Sequence, residues 1–493
     1  MAITKNIAKL LLQNIGIRQT ILKNTIWLVF AEAVSRFANL FLLAYVARGL
    51  GVSEYGKFTF AFSFATLMAM GSNMGIIDVA TREFSRDKEN EKKLGDIMGL
   101  EAVLSFFVAS LSFIVSFFIT NDPAIRKLLW ILTFFILCNS FLGILFAFLR
   151  ARQKMEHEAG IKFFQAFSTV AIVLGIVFIF PSAINLSYGY LLANALVLAG
   201  ALWYFHFHFQ HLHVRFKKAS LEVLKISWPL SFGLTLGWTY ISINSILLGY
   251  FGFIIENGWY NAASRVALVA IVPATLIVRS FYPALSRFFM TSKQSFQNTW
   301  NHLQELMILI AVPMVVGGVL LSHRIIYAFY GSEFAPSAPA LQLFILMAGI
   351  SFVNYPYSIV LVVTGNQKIN FFLIASGALL NILLTILLLE AFGFYGAIVS
   401  IIIAALAVLA GTIFFTTKFS LVNPFNKVSI KVSCAAAFAA LAMFFAINQQ
   451  YANQLNIMIV IMIGAFVYGI SLYVLYQVIF PQRIALLWQW KSF

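Results

Sequence analysis

Apolar runs of about 20 residues, separated by short polar breaks, follow one another along the whole chain. A helix rises about 1.5 Å per residue, so such a run crosses a hydrocarbon core of about 30 Å. The breaks predict about fourteen helices, over 25–48, 57–77, 97–119, 128–149, 161–180, 185–205, 227–250, 259–282, 305–322, 338–363, 369–390, 393–416, 429–447 and 455–479. The runs are continuous and do not alternate apolar with polar, which excludes a membrane β-barrel. The pattern predicts an all-α integral membrane protein.

Composition agrees. Of 493 residues, 61% are hydrophobic and 10% are charged, against about 25% charged in a soluble domain. The net charge is +16, and its placement orients the chain. With the N-terminus inside, 25 of the 33 lysines and arginines fall in inner loops. Five fall outside: Arg48, Lys57, Arg126, Lys127 and Arg324. The positive-inside rule then places both termini in the cytoplasm, and it explains the basic loops without nucleic acid. Residues 1–24 mix cations with Ile3, Ile7, Leu10 and Leu11 and carry no cleavage site. They are expected to be an amphipathic lead-in resting on lipid headgroups.

The chain repeats itself at an offset near 202. Glu54-Tyr55-Gly56 is answered by Glu256-Asn257-Gly258, Trp27 by Trp228, and Ser85-Arg86 by Ser286-Arg287. Six helices separate the copies, so both run the same way through the membrane, as in a parallel repeat. The expected domains are an N-lobe of six helices over 25–218, a C-lobe of six over 219–416, and two further helices with a cytoplasmic tail over 417–493. Substrate would bind between lobes that rock around it.

Three cations remain inside the spans: Arg36, Arg265 and Arg279. A cation at helix centre costs about 2.5–3.5 kcal/mol on insertion scales, so each needs water, an anion or a counter-charge. Arg36 lies roughly 16 Å into the first span. Arg265 and Arg279 lie about 21 Å apart along the eighth and within about 40° of one face. Guanidinium binds phosphate oxygens bidentately, so the three predict a cationic cavity for a phosphate-bearing substrate. The alternatives are local. Glu32 can neutralise Arg36 one turn away, and Arg265 and Arg279 can snorkel to the two surfaces. Pro273, between the two arginines of the eighth span, is a hinge candidate. Glu32 and Glu101 are the acids available to couple transport to an ion, Na+ or H+. Asp78 and Arg82, spaced i,i+4, predict an ion pair at the inner end of the second span, or a gate contact.

Other chemistry is sparse. His206, His208, His211 and His213 read as an interfacial aromatic-basic belt or a metal site. Cys138 and Cys434 read as small apolar core residues. The sequence has no phosphate-loop motif and no catalytic constellation, so neither an ATPase nor another enzyme is expected, nor a cofactor.

Over nearly its whole length the chain resembles the polysaccharide-flippase branch of the multidrug/oligosaccharidyl-lipid/polysaccharide exporter superfamily. The resemblance is carried by Leu50-Gly51-Val52-Ser53-Glu54-Tyr55-Gly56, Met74-Gly75-Ile76-Ile77-Asp78, Thr81-Arg82-Glu83-Phe84-Ser85-Arg86, and the run from Glu256 to Arg265. It continues through Phe281-Tyr282-Pro283-Ala284-Leu285-Ser286-Arg287, Tyr330-Gly331-Ser332-Glu333-Phe334, Thr364-Gly365-Asn366-Gln367-Lys368 and Gly393-Phe394-Tyr395-Gly396-Ala397. It implies a V-shaped bundle in a bacterial inner membrane that moves undecaprenyl-pyrophosphate-linked sugar units from the inner to the outer leaflet. Such units feed O-antigen, capsule or exopolysaccharide assembly, alongside a polysaccharide polymerase. The alternative within the superfamily is a cation-coupled multidrug exporter.

Overall fold

A computed structural model describes residues 17–73, 75–86, 92–208, 214–216, 222–225, 227, 242–419, 422–423, 427–448 and 455–479. Most of the amphipathic lead-in and most of the seventh expected span lie outside these. Besides the helical residues 222–225 and 242–250, thirteen α-helices and one 3-10 turn are bounded among the described residues. In order they are α1 (Ile17–Asn73), α2 (Ile76–Arg86), α3 (Lys92–Ile119), α4 (Pro123–Ala151), α5 (Met155–Ile179), α6 (Ala183–His208) and α7 (Ile254–Thr291). There follow α8 (Lys293–Tyr330), the turn Ser332–Phe334, α9 (Ser337–Val363), α10 (Gln367–Phe392), α11 (Phe394–Lys418), α12 (Lys427–Ile447) and α13 (Ile457–Ile479). Twelve of them are long and apolar enough to cross a membrane. The protein is an all-α integral membrane protein.

Three boundaries differ from the hydropathy reading, each for a physical reason. The first two spans join in one 57-residue element that changes direction at Gly51, whose φ of 77° suits a residue without Cβ. That element stops at Asn73, and Gly75 (φ 71°) starts a separate helix, α2. Helix α2 buries Ile76, Val79, Ala80 and Phe84 and exposes Asp78 and Arg82. These two charges therefore sit on the polar face of a short amphipathic helix beyond the second span, not at the span's inner end. Finally, α7 and α8 each run 38 residues, well past the predicted 259–282 and 305–322. At about 1.5 Å per residue that is about 57 Å, nearly twice the hydrocarbon core. Hydropathy marks where apolar character ends, whereas helix continues through Lys293–Gln304 because Phe296, Trp300 and Leu303, at helical spacing, bury one face of it in the core. Ser292 separates α7 from α8 and caps the latter, accepting from the Ser295 amide at 3.2 Å.

The chain divides into two compact units, Met1–Gly258 and Trp259–Phe493. In the first, α1 packs on α3, α4, α5 and α6, and α4 packs on α2, α3 and α6. Its core gathers Leu142, Leu145, Phe148, Val197 and Phe205 around α2 and α3. In the second, α8 packs on α9, α12 and α13, and α11 on α9 and α10. Trp300, Leu303, Phe352 and Tyr357 form part of its core. Large apolar side chains also face outward, including Phe106, Phe118, Phe178 and Leu387. In water this would be an aggregation surface; in a bilayer it is the solvated one.

The repeat has a structural counterpart inside the first unit. A Cβ on Gly56 would collide with the Ile254 carbonyl, and a Cβ on Gly258 with the Val52 carbonyl. Adding 202 to 52 and 56 gives 254 and 258, so the two contacts are images of one another. The amide of Asn257 locks the crossing, donating to Gly56 O at 3.0 Å and Thr59 Oγ1 at 3.2 Å. Glu54 of the same motif accepts from the Ala183 amide at 2.9 Å, capping α6.

Candidate functional site

Helices α1, α4 and α5 bring five charged side chains into one chain of ion pairs. Arg36 Nε lies 2.8 Å from Glu32 Oε1. The other Glu32 oxygen lies 3.6 Å from Lys162 Nζ, and Lys162 lies 3.1 Å from Glu158 Oε1. Glu158 receives Arg150 in a two-pronged grip, Nη2 to Oε1 at 2.7 Å and Nε to Oε2 at 2.9 Å. Lys23 Nζ pairs with Glu156 Oε2 at 3.0 Å beside it.

Local structure explains the convergence. Arg150 closes α4 and Glu156 and Glu158 open α5, the ends where the helix dipole favours each sign. The turn between them is tight: Lys154 N donates to Leu149 O at 2.9 Å, and Gln153 takes φ 56°. That geometry returns Glu158 to Arg150. The pairs Glu32–Arg36 and Glu158–Lys162 are both i,i+4 with the acid first, the better order on a helix.

Burial is graded along the chain. The Glu158 side chain is 0% exposed, Lys162 17%, Glu32 49% and Arg36 45%. The buried end is a structural clamp, because two cations satisfy one desolvated carboxylate. The exposed end is exchangeable. Glu32 is shared between Arg36 and Lys162, so an anion that draws Arg36 away leaves Glu32 with a cation still in reach. At the buried end Arg150 is balanced by Glu158, with Asp78 also acting on it, whereas at the exposed end Arg36 and Lys162 share Glu32, which leaves Arg36 the cation an anion reaches.

Glu101, in α3, is buried with 1% exposure. Ser105 Oγ donates to it at 3.3 Å, and the Ser72 and Ser140 hydroxyls also face it. No cation of its unit lies in ion-pair range among the described residues. Nearby, Gln165 Nε2 bridges Asn139 and Asn194 at 2.9 and 2.7 Å, giving α4, α5 and α6 a polar junction inside the span.

The other expected residues fare differently. Arg265 is half-buried and Arg279 exposed, both on α7. Pro273 sits exposed between them in an uninterrupted helix. Asp78 and Arg82 do not pair; Arg82 lies 3.7 Å from Glu83 instead. Spacing i,i+4 permitted the contact, but both lie on the exposed face of α2, where an ion pair gains little, and Asp78 acts on Arg150 of α4 instead. Cys138 is half-buried, whereas Cys434 is exposed and so is not a core residue. His206 and His208 end α6, with the His208 ring stacked on Tyr204 at 4.2 Å; His211 and His213 lie outside the described residues.

Sequence reasoning placed Arg150 and Lys162 among inner-loop cations and passed over Glu156 and Glu158. The available signal was the Glu158–Lys162 spacing at the start of the fifth helix, eight residues after Arg150.

Comparison with known proteins adds family and fold. A family model described as polysaccharide biosynthesis protein matches residues 21–289. A protein of Shigella flexneri described as "Putative O-antigen transporter" is 24% identical over 414 residues, covering 77% of this chain and 94% of that protein. The solved structure of the lipid II flippase MurJ, in an inward closed conformation, aligns with TM-score 0.72 at 18% identity, over 92% of this chain and 99% of that one. An inward-facing multidrug resistance MATE transporter of the MOP superfamily aligns with TM-score 0.64 at 14% identity, over 79% and 98%. The two structures show that the fold is shared.

Proposed function

The chain belongs to the family of polysaccharide biosynthesis proteins, and from that premise we propose that it is a flippase for lipid-linked glycans. Its substrate is an undecaprenyl-pyrophosphate-linked oligosaccharide, carried from the inner to the outer leaflet of a bacterial inner membrane by alternating access between an N-lobe and a C-lobe. Both termini are cytoplasmic, and the delivered unit feeds O-antigen, capsule or exopolysaccharide polymerisation. The relatives are transporters by description, and the role needs no covalent step.

The observation that carries this reading is the shared carboxylate. A pyrophosphate entering the exposed end of the ion-pair chain meets Arg36 and offers it two phosphate groups in place of one carboxylate. Glu32 then rests on Lys162, so no charge is stranded in low dielectric. Arg265 and Arg279 on α7 supply later contacts as the lobes exchange access, with Pro273 as the point where α7 bends. Glu101, a buried acid surrounded by hydroxyls, is the site for a coupling ion. A multidrug exporter of cationic compounds would be better served by an exposed acid than by an exposed arginine at this end of the ion-pair chain.

The test is transport of a labelled polyprenyl-pyrophosphate glycan in proteoliposomes. Arg36→Ala at wild-type abundance is expected to cut the flipping rate about tenfold or more, the scale of a lost charge-assisted bond. Unchanged flipping in Arg36→Ala would refute the reading.

A further inference from the structure

About 36 Å along α4 from Arg150, the other end of the first unit holds two adjacent cations, Arg126 and Lys127. Charge sorting assigns this end to the outer surface, where cations are scarce. Neither has a carboxylate of its unit in ion-pair range among the described residues. The Arg126 guanidinium lies 4.3 Å over the Phe117 ring and donates from Nη2 to Thr120 O at 3.1 Å, while its Nε is buried with no acceptor. Lys127 Nζ stands 5.5 Å over the Tyr188 ring. Arg126, Lys127, Trp130 and Tyr188 line a cavity of about 480 Å³.

Phe134 belongs both to that cavity and to a second of about 770 Å³, which runs between α3, α4 and α6. This second cavity is apolar. Ala102, Ser105, Ala109 and Phe113 line it from α3, and Phe134 and Cys138 from α4. From Arg126 to Cys138 is about 18 Å along the helix, close to the roughly 15 Å depth of one leaflet's hydrocarbon. A mouth with two cations that lack acids thus opens onto an apolar trough of one leaflet's depth.

We propose that this groove binds an anionic phospholipid of the bilayer, with its phosphate on Arg126 and Lys127 and one acyl chain laid along α3 and α4 to Cys138. The site is separate from the ion-pair chain and does not depend on the transported substrate. Arg126 and Lys127 line the cavity together, and Trp130 and Tyr188 flank the phosphate position at the depth where amphipathic aromatics anchor.

Photo-cross-linking tests the proposal. The purified protein is placed in phosphatidylcholine vesicles containing a trace of phosphatidylglycerol or phosphatidylcholine with a diazirine at one chain end, and adducts are mapped. The phosphatidylglycerol probe should label residues 134–141 at least about fivefold more than the phosphatidylcholine probe, since one surface cation is worth about that factor. Leu379, Leu383 and Leu387, exposed on α10, should be labelled equally by both. Arg126→Gln with Lys127→Gln should abolish the preference, and Ala109→Phe should lower labelling by both probes in the groove alone. If the double variant does not fold, Lys127→Gln, at an exposed position, decides with a partial loss. Equal labelling by the two probes in the wild type, or a preference that survives loss of the cations, overturns the proposal.

Discussion

The two motifs 202 residues apart agree where their backbones meet, and the units that carry their neighbouring helices differ where their charges lie. Around Gly56 and Gly258 the contacts are images of one another, because a glycine facing a carbonyl admits no side chain in either copy. Away from that crossing the likeness ends. Arg36, in the first, enters a chain of ion pairs with Glu32, Lys162, Glu158 and Arg150. Arg279, in the second, is exposed, and no carboxylate of its unit lies in ion-pair range among the described residues. Where the second unit buries polarity near its long helices it mostly pairs neutral groups, Gln304 Nε2 on Tyr357 Oη at 3.2 Å, Trp300 Nε1 on Pro356 O at 3.0 Å, and Thr412 Oγ1 on Asn354 Oδ1 at 2.8 Å, beside one buried acid of α8, Glu305. Close approach of backbones constrains a repeat tightly, whereas the placement of charge is free to specialise.

Five substitutions probe that contrast, beginning with the largest expected effect. Glu158→Ala removes the carboxylate between two cations at the buried end of the chain. It should lower stability by about 3–5 kcal/mol, read as loss of folded protein in detergent extracts or a large fall in melting temperature. A variant as stable as wild type would mean that the clamp is ornamental. Gly258→Val drives a branched side chain into the Val52 carbonyl, and overpacking of this kind costs about 1–3 kcal/mol. Gly56→Val should cost at least as much, because its Cβ would come closer to the Ile254 carbonyl; a tolerated Gly56→Val would break the symmetry of the crossing.

Glu101→Gln keeps the shape of a buried group but prevents it from carrying a charge. Folding should survive, since the hydroxyls around it can bond an amide, while flipping driven by an imposed ion gradient should fall about tenfold, toward its undriven rate. Gradient-driven flipping at the wild-type rate would remove Glu101 from the coupling role. Arg279→Gln should have the smallest effect, about two- to fivefold on flipping, because an exposed cation contributes about 1 kcal/mol or less. A loss as large as that of Arg36→Ala would make the two units equal partners in holding the phosphate.

Much of the fold was legible because the bilayer imposes a length on apolar runs, and the run lengths are printed in the sequence. The misreadings cluster where helix and hydrophobicity part company. Lys293–Gln304 is polar and helical, and Gly75 turns the chain between two stretches that both read as helix. The site was legible only where it is local. Glu32 and Arg36 are four residues apart, and their pairing follows from helical spacing. Lys162 lies 126 residues from Arg36, and nothing in the pattern of either helix announces that α1 packs on α5. Glu158 was hidden for another reason: a charge at the edge of an apolar run looks solvated until the neighbouring helix end is seen to cover it.

The account rests on Arg36 leaving Glu32 for a diphosphate. The most direct measurement is equilibrium binding of a polyprenyl pyrophosphate, and of the matching uncharged polyprenol, to wild type and to Arg36→Ala in detergent micelles. The account predicts that the substitution weakens the pyrophosphate about tenfold or more and leaves the polyprenol unchanged. Equal pyrophosphate affinity in the two proteins would contradict it.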